Sequence, residues 1–142
     1  MVIEISGNIL DIENGIICHQ VNCQRVAGKG LALQIRKKYS DWYDKFKDTT
    51  LNLGDIMVHI PTGYPRLFIA SLYSQDRYGT EKVHTDYRAF ESCLEKINYI
   101  FSGSNICIYF PYKIGCGLAG GDWKIVKKTI QDIIPSAFIV RR

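Results

Sequence analysis

The chain has 142 residues, 46% of them apolar and 23% charged, and a net charge of +4. That is the balance of an ordinary globular protein, and residues 1–142 are enough to bury roughly two-thirds of the unfolded surface as one domain. The positive charge is too weak and scattered for a nucleic-acid footprint, and no apolar run approaches the roughly 18 residues of a membrane span, so a cytoplasmic protein is expected.

The five cysteines, Cys18, Cys23, Cys93, Cys107 and Cys116, are odd in number and irregularly spaced. None forms a CxxC pair, so zinc and dithiol chemistry have little support and no metal site is expected. Cys18, Cys93 and Cys107 lie in apolar patterns and read as small hydrophobes. Cys116 stands between two glycines in a loop, with no sequence neighbour that is an obvious base.

In chain order, residues 2–6 (VIEIS) alternate as a strand stopped by Gly7 and Asn8. Residues 15–20 read as a second strand whose Ile16, Ile17 and Cys18 are too uniformly apolar for a half-exposed face, and predict a central strand covered on both faces. A polar, glycine-rich loop follows, then a helix from near Gly30 in which Leu31, Leu33, Ile35 and Tyr39 are apolar. Arg36, Lys37 and Lys38 fall in its last turn, where the helix dipole favours a cation by about 0.3 to 1 kcal/mol. Ser40 and Asp41 are expected to cap a short continuation through Trp42, Tyr43 and Phe46.

Residues 53–60 and 66–74 read as two strands of an antiparallel hairpin. Tyr87, Phe90, Leu94, Ile97 and Phe101 recur at helical spacing behind Thr85 or Asp86 as cap. Residues 105–110 (NICIYF) predict a buried strand ended by Pro111, before a second glycine-rich loop over 114–122. Trp123, Val126, Ile130 and Ile133 share one helical face, Pro135 stops that helix, and 137–140 is a last strand. Helices alternating with strands imply an α/β fold, a three-layer α/β/α sandwich with a mixed central sheet.

The motifs that would carry chemistry are the two loops. Gly28-Lys29-Gly30 lacks the spacing and the hydroxyl residue of a Walker A loop, and no GxGxxG follows the first strand. What is present is a pair of strand–glycine loop–helix turns able to close on a pyrophosphate through backbone N–H groups. His19 and Asn22 stand at the end of the central strand, where they could bond a sugar hydroxyl and His19 could act as a general base. A strand-end histidine also has a plainer reading as a structural group. Asp122 is equally well read as a helix N-cap. His59 and His84 carry little signal.

Taken together, His19-Gln20-Val21-Asn22-Cys23, Gly28-Lys29-Gly30-Leu31-Ala32 and the stretch PYKIGCGLAGGDW over 111–123 make the chain resemble the macro domain, the ADP-ribose-binding fold. The resemblance runs from Ile5-Ser6-Gly7-Asn8-Ile9 to the last strand. It looks closest to the branch of ADP-ribose 1″-phosphate phosphatases and terminal ADP-ribose glycohydrolases.

The resemblance implies a ligand but no cofactor or metal. Asn8 matches the position whose usual aspartate grips the adenine amino group, with Ile9 beside it. Asn22 matches the distal-ribose asparagine. Gly28, Lys29, Gly30 and Leu31 match the first phosphate loop, and Gly115, Cys116, Gly117, Leu118 and Ala119 the second. His19 matches a histidine proposed to be catalytic in the phosphatases, with Asp122 assisting. Two departures tell against a glycohydrolase, because Gln75 stands where that branch uses lysine and Ala119 where it uses aspartate. A metal-independent phosphatase acting on ADP-ribose 1″-phosphate is therefore the leading expectation, with an ADP-ribose reader or a water-mediated glycohydrolase as alternatives. The expected partner is ADP-ribose or a derivative, with no membrane, nucleic acid only where it is ADP-ribosylated, and the chain a monomer.

Overall fold

The computed structural model describes residues 1–76, 84–117 and 119–142. Its strands are β1 (Ile3–Ser6), β2 (Gly15–Asn22), β3 (Ile56–His59), β4 (Leu67–Gln75), β5 (Ile108–Pro111) and β6 (Phe138–Arg141). Its helices are α1 (Gly30–Lys38), α2 (Ser40–Lys47), α3 (Tyr87–Phe101) and α4 (Trp123–Ile133), with a short 3-10 turn at Ile9–Asp11. They form one six-stranded sheet in the order β1-β6-β5-β2-β4-β3. Every pairing is parallel except β3 with β4, where Ile56 faces Leu72.

The layers follow from β2, which is buried at every residue but Gln20. A strand apolar on both sides must be covered on both. Phe90, Leu94 and Ile97 of α3 and Val126 and Ile130 of α4 pack with Ile16, Cys18 and Phe110 on one face. Ile35 of α1 and Trp42 and Phe46 of α2 pack with Ile17, Val21 and Ile69 on the other. Successive residues of β2 thus serve opposite layers, as the period of two requires. The result is the three-layer sandwich expected from the alternation of elements. Among the described residues no helix is long and apolar enough to cross a membrane.

Local chemistry explains most boundaries. Asp86 caps α3 by accepting the Ala89 N–H at 2.9 Å, a contact of the kind worth about 1 kcal/mol. Arg36 lies 3.8 Å over the ring of Tyr43 and Lys38 donates to the Leu10 carbonyl, so the cations of the last turn of α1 are also packing groups.

Three expectations are corrected. Ser40 is already helical and no side chain caps α2. Asp41 instead spends one carboxylate oxygen on the Thr62 N–H at 2.8 Å, the Thr62 hydroxyl at 3.0 Å and His59 Nε2 at 3.0 Å, tying the β3–β4 hairpin to α2. The strand expected over 105–110 starts at Ile108 and runs through Pro111, leaving Cys107 exposed. Pro111 is tolerated because β2 pairs only with Ile108 and Tyr109, so no β2 carbonyl waits for its missing N–H.

Candidate functional site

Because β1, β2, β4, β5 and β6 run parallel, their carboxyl ends deliver the connecting loops to one rim of the sheet. Ligands of open α/β sheets bind at such a rim. Asn8, the loop from Cys23 to Lys29 and the loop from Tyr112 to Asp122 all emerge there.

The first loop is tied by its own asparagine. The Asn22 amide Oδ1 accepts the Gln24 N–H at 3.1 Å and the Val26 N–H at 3.0 Å, while Nδ2 donates to the Val26 carbonyl at 2.8 Å. Asn22 is 5% exposed, so the side chain expected on a ribose is occupied in shaping the loop. Arg25 takes a left-handed φ of 61° and donates from Nη1 to the Lys47 carbonyl. Ala27 is buried beneath, whereas Gly28, Lys29 and Gly30 are exposed. Lys29 occupies the N-cap of α1 without a side-chain hydrogen bond, leaving the first-turn N–H groups uncovered by any capping side chain.

The second loop is tied to the sheet through residues that the sequence reading passed over. Gln20 Oε1 accepts from the Ser74 hydroxyl at 2.8 Å, and its Nε2 donates to Thr85 Oγ1 at 3.1 Å. Thr85 donates in turn to the Gly115 carbonyl at 2.7 Å. Gln75 joins the same group at 3.5 Å from Gln20. Gly115 takes a φ of +75°, which favours glycine, and a Cβ there would also meet Gln20 Oε1 at 2.9 Å and push that amide aside. The Ala119 carbonyl accepts the His84 N–H at 2.8 Å, and Ala119 itself is buried. Gly117 faces open space, and Leu118 lies outside the described residues.

Cys116 is no nucleophile at neutral pH. Burial, and next the Asp122 carboxylate, push its thiol up to about 11, and the thiol donates to the Ile114 carbonyl at 3.3 Å. Asp122 is the N-cap of α4, accepting the Lys124 N–H at 2.9 Å, while its own N–H donates to the Tyr87 hydroxyl at 2.9 Å. It remains exposed beside the loop.

Asn8, Ile9 and Leu31 meet at a cavity of about 300 Å³, completed by Gln34, Pro111, Tyr112, Val140 and the two terminal arginines. Arg141 lies 4.2 Å over the ring of Tyr112. A larger cavity of about 420 Å³, between Leu53 and the segment around His84 and Arg88, is lined by none of the residues expected to bind.

His19 is where the structure departs most from expectation. It is 1% exposed and points into the layer under α2, with its ring 5.1 Å from that of Trp42 in an edge contact. Its Nε2 lies 2.8 Å from Ser71 Oγ, which also accepts the Trp42 indole N–H at 2.9 Å. The arrangement that satisfies most groups has Ser71 donating to Nε2, which assigns the ring proton to Nδ1. Among the described residues no partner meets Nδ1. Burial lowers the pKa to about 3, so this imidazole is a neutral core group on the face of β2 opposite Gln20. Alternation along β2 puts Gln20, not His19, on the face that carries the residues under the second loop.

No family model matches the sequence and no curated protein matches it. Solved structures do. A Bacteroides thetaiotaomicron protein is similar with a TM-score of 0.85 at 22% identity, covering 99% of both chains. The macrodomain of Mycobacterium tuberculosis DarG is similar with a TM-score of 0.81 at 19% identity, over 99% of this chain and 97% of that one. Thermosipho africanus DarTG, solved in complex with ADP-ribose, is similar with a TM-score of 0.80 at 19% identity, over 96% of this chain and 40% of that one. At such identities the likeness speaks for architecture, and the architecture of this chain is the macrodomain fold.

Proposed function

We propose that this protein binds ADP-ribose or an ADP-ribose derivative along the rim, with the base in the cavity at Asn8, Ile9 and Leu31 and the pyrophosphate between the two glycine loops. The observation that carries this reading is the state of those loops. Each is braced from beneath, by Asn22 in one case and by Gln20 and Thr85 in the other, while among the described residues, chain neighbours aside, nothing lies within 4 Å of a would-be Cβ on Gly28 or Gly117. Braced backbone with an open face suits an anion held by N–H groups. The presence of ADP-ribose in the similar Thermosipho africanus structure supports the same ligand. In this reading residues 1–142 act as one cytoplasmic domain, a monomer, with Gly28, Lys29, Gly30, Gly115, Cys116, Gly117 and Ala119 around the pyrophosphate.

Removal of phosphate from ADP-ribose 1″-phosphate is the second reading, and Asp122 favours it. Its carboxylate is exposed next to the second loop, close enough to raise the Cys116 thiol, and can take a proton from an attacking water. His19, buried and neutral, is a structural residue in this scheme. Gln75 at the end of β4 offers no amine for attack on the ribose, which keeps a covalent lysine route out of it.

Calorimetric titration with ADP-ribose, followed by a phosphate-release assay on ADP-ribose 1″-phosphate, tests both. Binding with release that is lost in Asp122→Asn supports the phosphatase. Binding without release leaves a reader, and absence of binding overturns the proposal.

A further inference from the structure

The carbonyls of the second loop are turned toward the protein, and the short segment His84-Thr85 does most of the turning. The Thr85 hydroxyl gives to the Gly115 oxygen at 2.7 Å, and the His84 and Thr85 N–H groups give to the Ala119 oxygen at 2.8 and 3.4 Å. Gly121 gives its N–H to the same Gly115 oxygen at 2.8 Å, and the Gly117 carbonyl accepts the Gly120 N–H at 3.1 Å. The N–H groups of Gly117 and Ala119, by contrast, meet no acceptor among the described residues. A loop whose carbonyls are engaged and whose N–H groups are left over is receptive to an anion.

The direction of the Thr85 bond is forced. A carbonyl oxygen only accepts, so the single hydroxyl proton of Thr85 lies on Gly115, and any other group that meets Oγ1 must be a donor. That orients the Gln20 amide, with Nε2 toward Thr85 at 3.1 Å and Oε1 toward the Ser74 hydroxyl at 2.8 Å. The chain of donors therefore runs from Ser74 through Gln20 and Thr85 to Gly115. Thr85 is buried and is fixed to the end of β4 on its other side, by a bridge to Gln75 and by the Asp86 N–H giving to the Ser74 carbonyl at 2.7 Å.

Resting on the ADP-ribose reading above, we propose that Thr85 is a positioning residue of this site. Its proton holds the Gly115 carbonyl inward so that the loop offers N–H groups to the pyrophosphate, and its hydroxyl, not its bulk, sets the affinity.

The test is calorimetric titration of the wild type, Thr85→Val and Thr85→Ser with ADP-ribose, at a temperature where melting curves show all three folded. Valine keeps the shape and loses the proton, so Thr85→Val is expected to bind about tenfold more weakly, the effect of one hydrogen bond. Serine keeps the proton and loses a methyl group, so Thr85→Ser is expected to stay within about twofold of the wild type. A residue that only fills space would give the opposite order. Wild-type affinity in Thr85→Val, or a loss in Thr85→Ser as large as in Thr85→Val, overturns the role of the hydroxyl and leaves the binding reading intact. Should Thr85→Val fail to fold, Thr85→Ala removes the same proton without crowding the loop and is held to the same outcome. If the wild type binds no ADP-ribose, the binding reading itself falls and this inference with it.

Discussion

The Ser71 hydroxyl stands 2.8 Å from Nε2 of His19, and this contact makes the histidine part of the packing beneath α2. Its folded pKa of about 3 lies below the ordinary 6.5. Between those values the unfolded chain binds a proton that the folded chain refuses. Stability therefore falls as pH falls through that window, by at most about 1.4 kcal/mol per pH unit. At the acid end of that window, from the ordinary 3.8 downward, Asp55 adds to the loss, because the Asn52 N–H and Lys96 hold its carboxylate under the usual value. Denaturant titrations across this range should have the expected slope, and His19→Gln should flatten its upper part.

Ser71→Ala removes the shared partner of His19 and Trp42. Leaving two buried polar groups unpaired should cost about 1 to 3 kcal/mol. Because Ser71, His19 and Trp42 bond one another within the α1–α2 layer and none of them bonds a glycine-loop residue among the described contacts, ADP-ribose affinity at a temperature where the variant is folded should stay unchanged. A calorimetric loss of affinity in fully folded Ser71→Ala would show that the cluster reaches the ligand after all.

The two faces of the second loop can be separated with single methyl groups. A Cβ on Gly121 would sit 2.6 Å from the Gly115 carbonyl oxygen, which is backbone already bonded to the Gly121 N–H and to Thr85. Gly121→Ala should therefore lose about 1 to 3 kcal/mol of stability by overpacking. Among the described residues, chain neighbours aside, nothing lies within 4 Å of a Cβ on Gly117, so Gly117→Ala should leave stability within about 0.5 kcal/mol. If the loop cradles the pyrophosphate, the same methyl should weaken ADP-ribose binding on the order of tenfold. Melting curves and calorimetry on the pair distinguish the two effects.

Asn22→Ala strips the first loop of its brace. The Gln24 and Val26 N–H groups and the Val26 carbonyl lose their partner, at a cost of about 1 to 3 kcal/mol. Trypsin should cut after Arg25, at the exposed turn of this loop, faster than in the wild type. An unchanged cleavage rate would mean that the loop holds its form without Asn22.

The order of elements was legible because each has a clear period. The alternation of residues 2–6, the apolar run of β2 and the stripe Phe90, Leu94, Ile97 leave little choice of structure. What could not be read was which way β2 faces. With both layers apolar, nothing in the run Ile16-Ile17-Cys18 distinguishes the α1–α2 side from the α3–α4 side. His19 and Gln20 were therefore open to exchange, and the structure puts Gln20 under the second loop and His19 in the layer beneath α2. Asn22 was placed correctly at the rim, but a short amide at a strand end can bond its own loop as readily as a ligand. Thr85 gave no signal beyond capping, since its contacts with Gln20 and Gly115 span 65 and 30 residues.

The pairing of Ile3 with Phe138 and of Ser6 with Arg141 bears on how the chain comes to fold. Among the described residues β6 is the only strand neighbour of β1, so β1, once synthesised, has no ladder to join until β6, far along the chain, has been made. Until then β5 also presents an open edge, on the side that β6 will occupy. The closing of the sheet is thus a late, long-range event, of the kind that slows folding and exposes a nascent chain to wrong partners. An N-terminal truncation through β1 would strand β6 as an edge, while a C-terminal truncation through β6 would release β1 altogether.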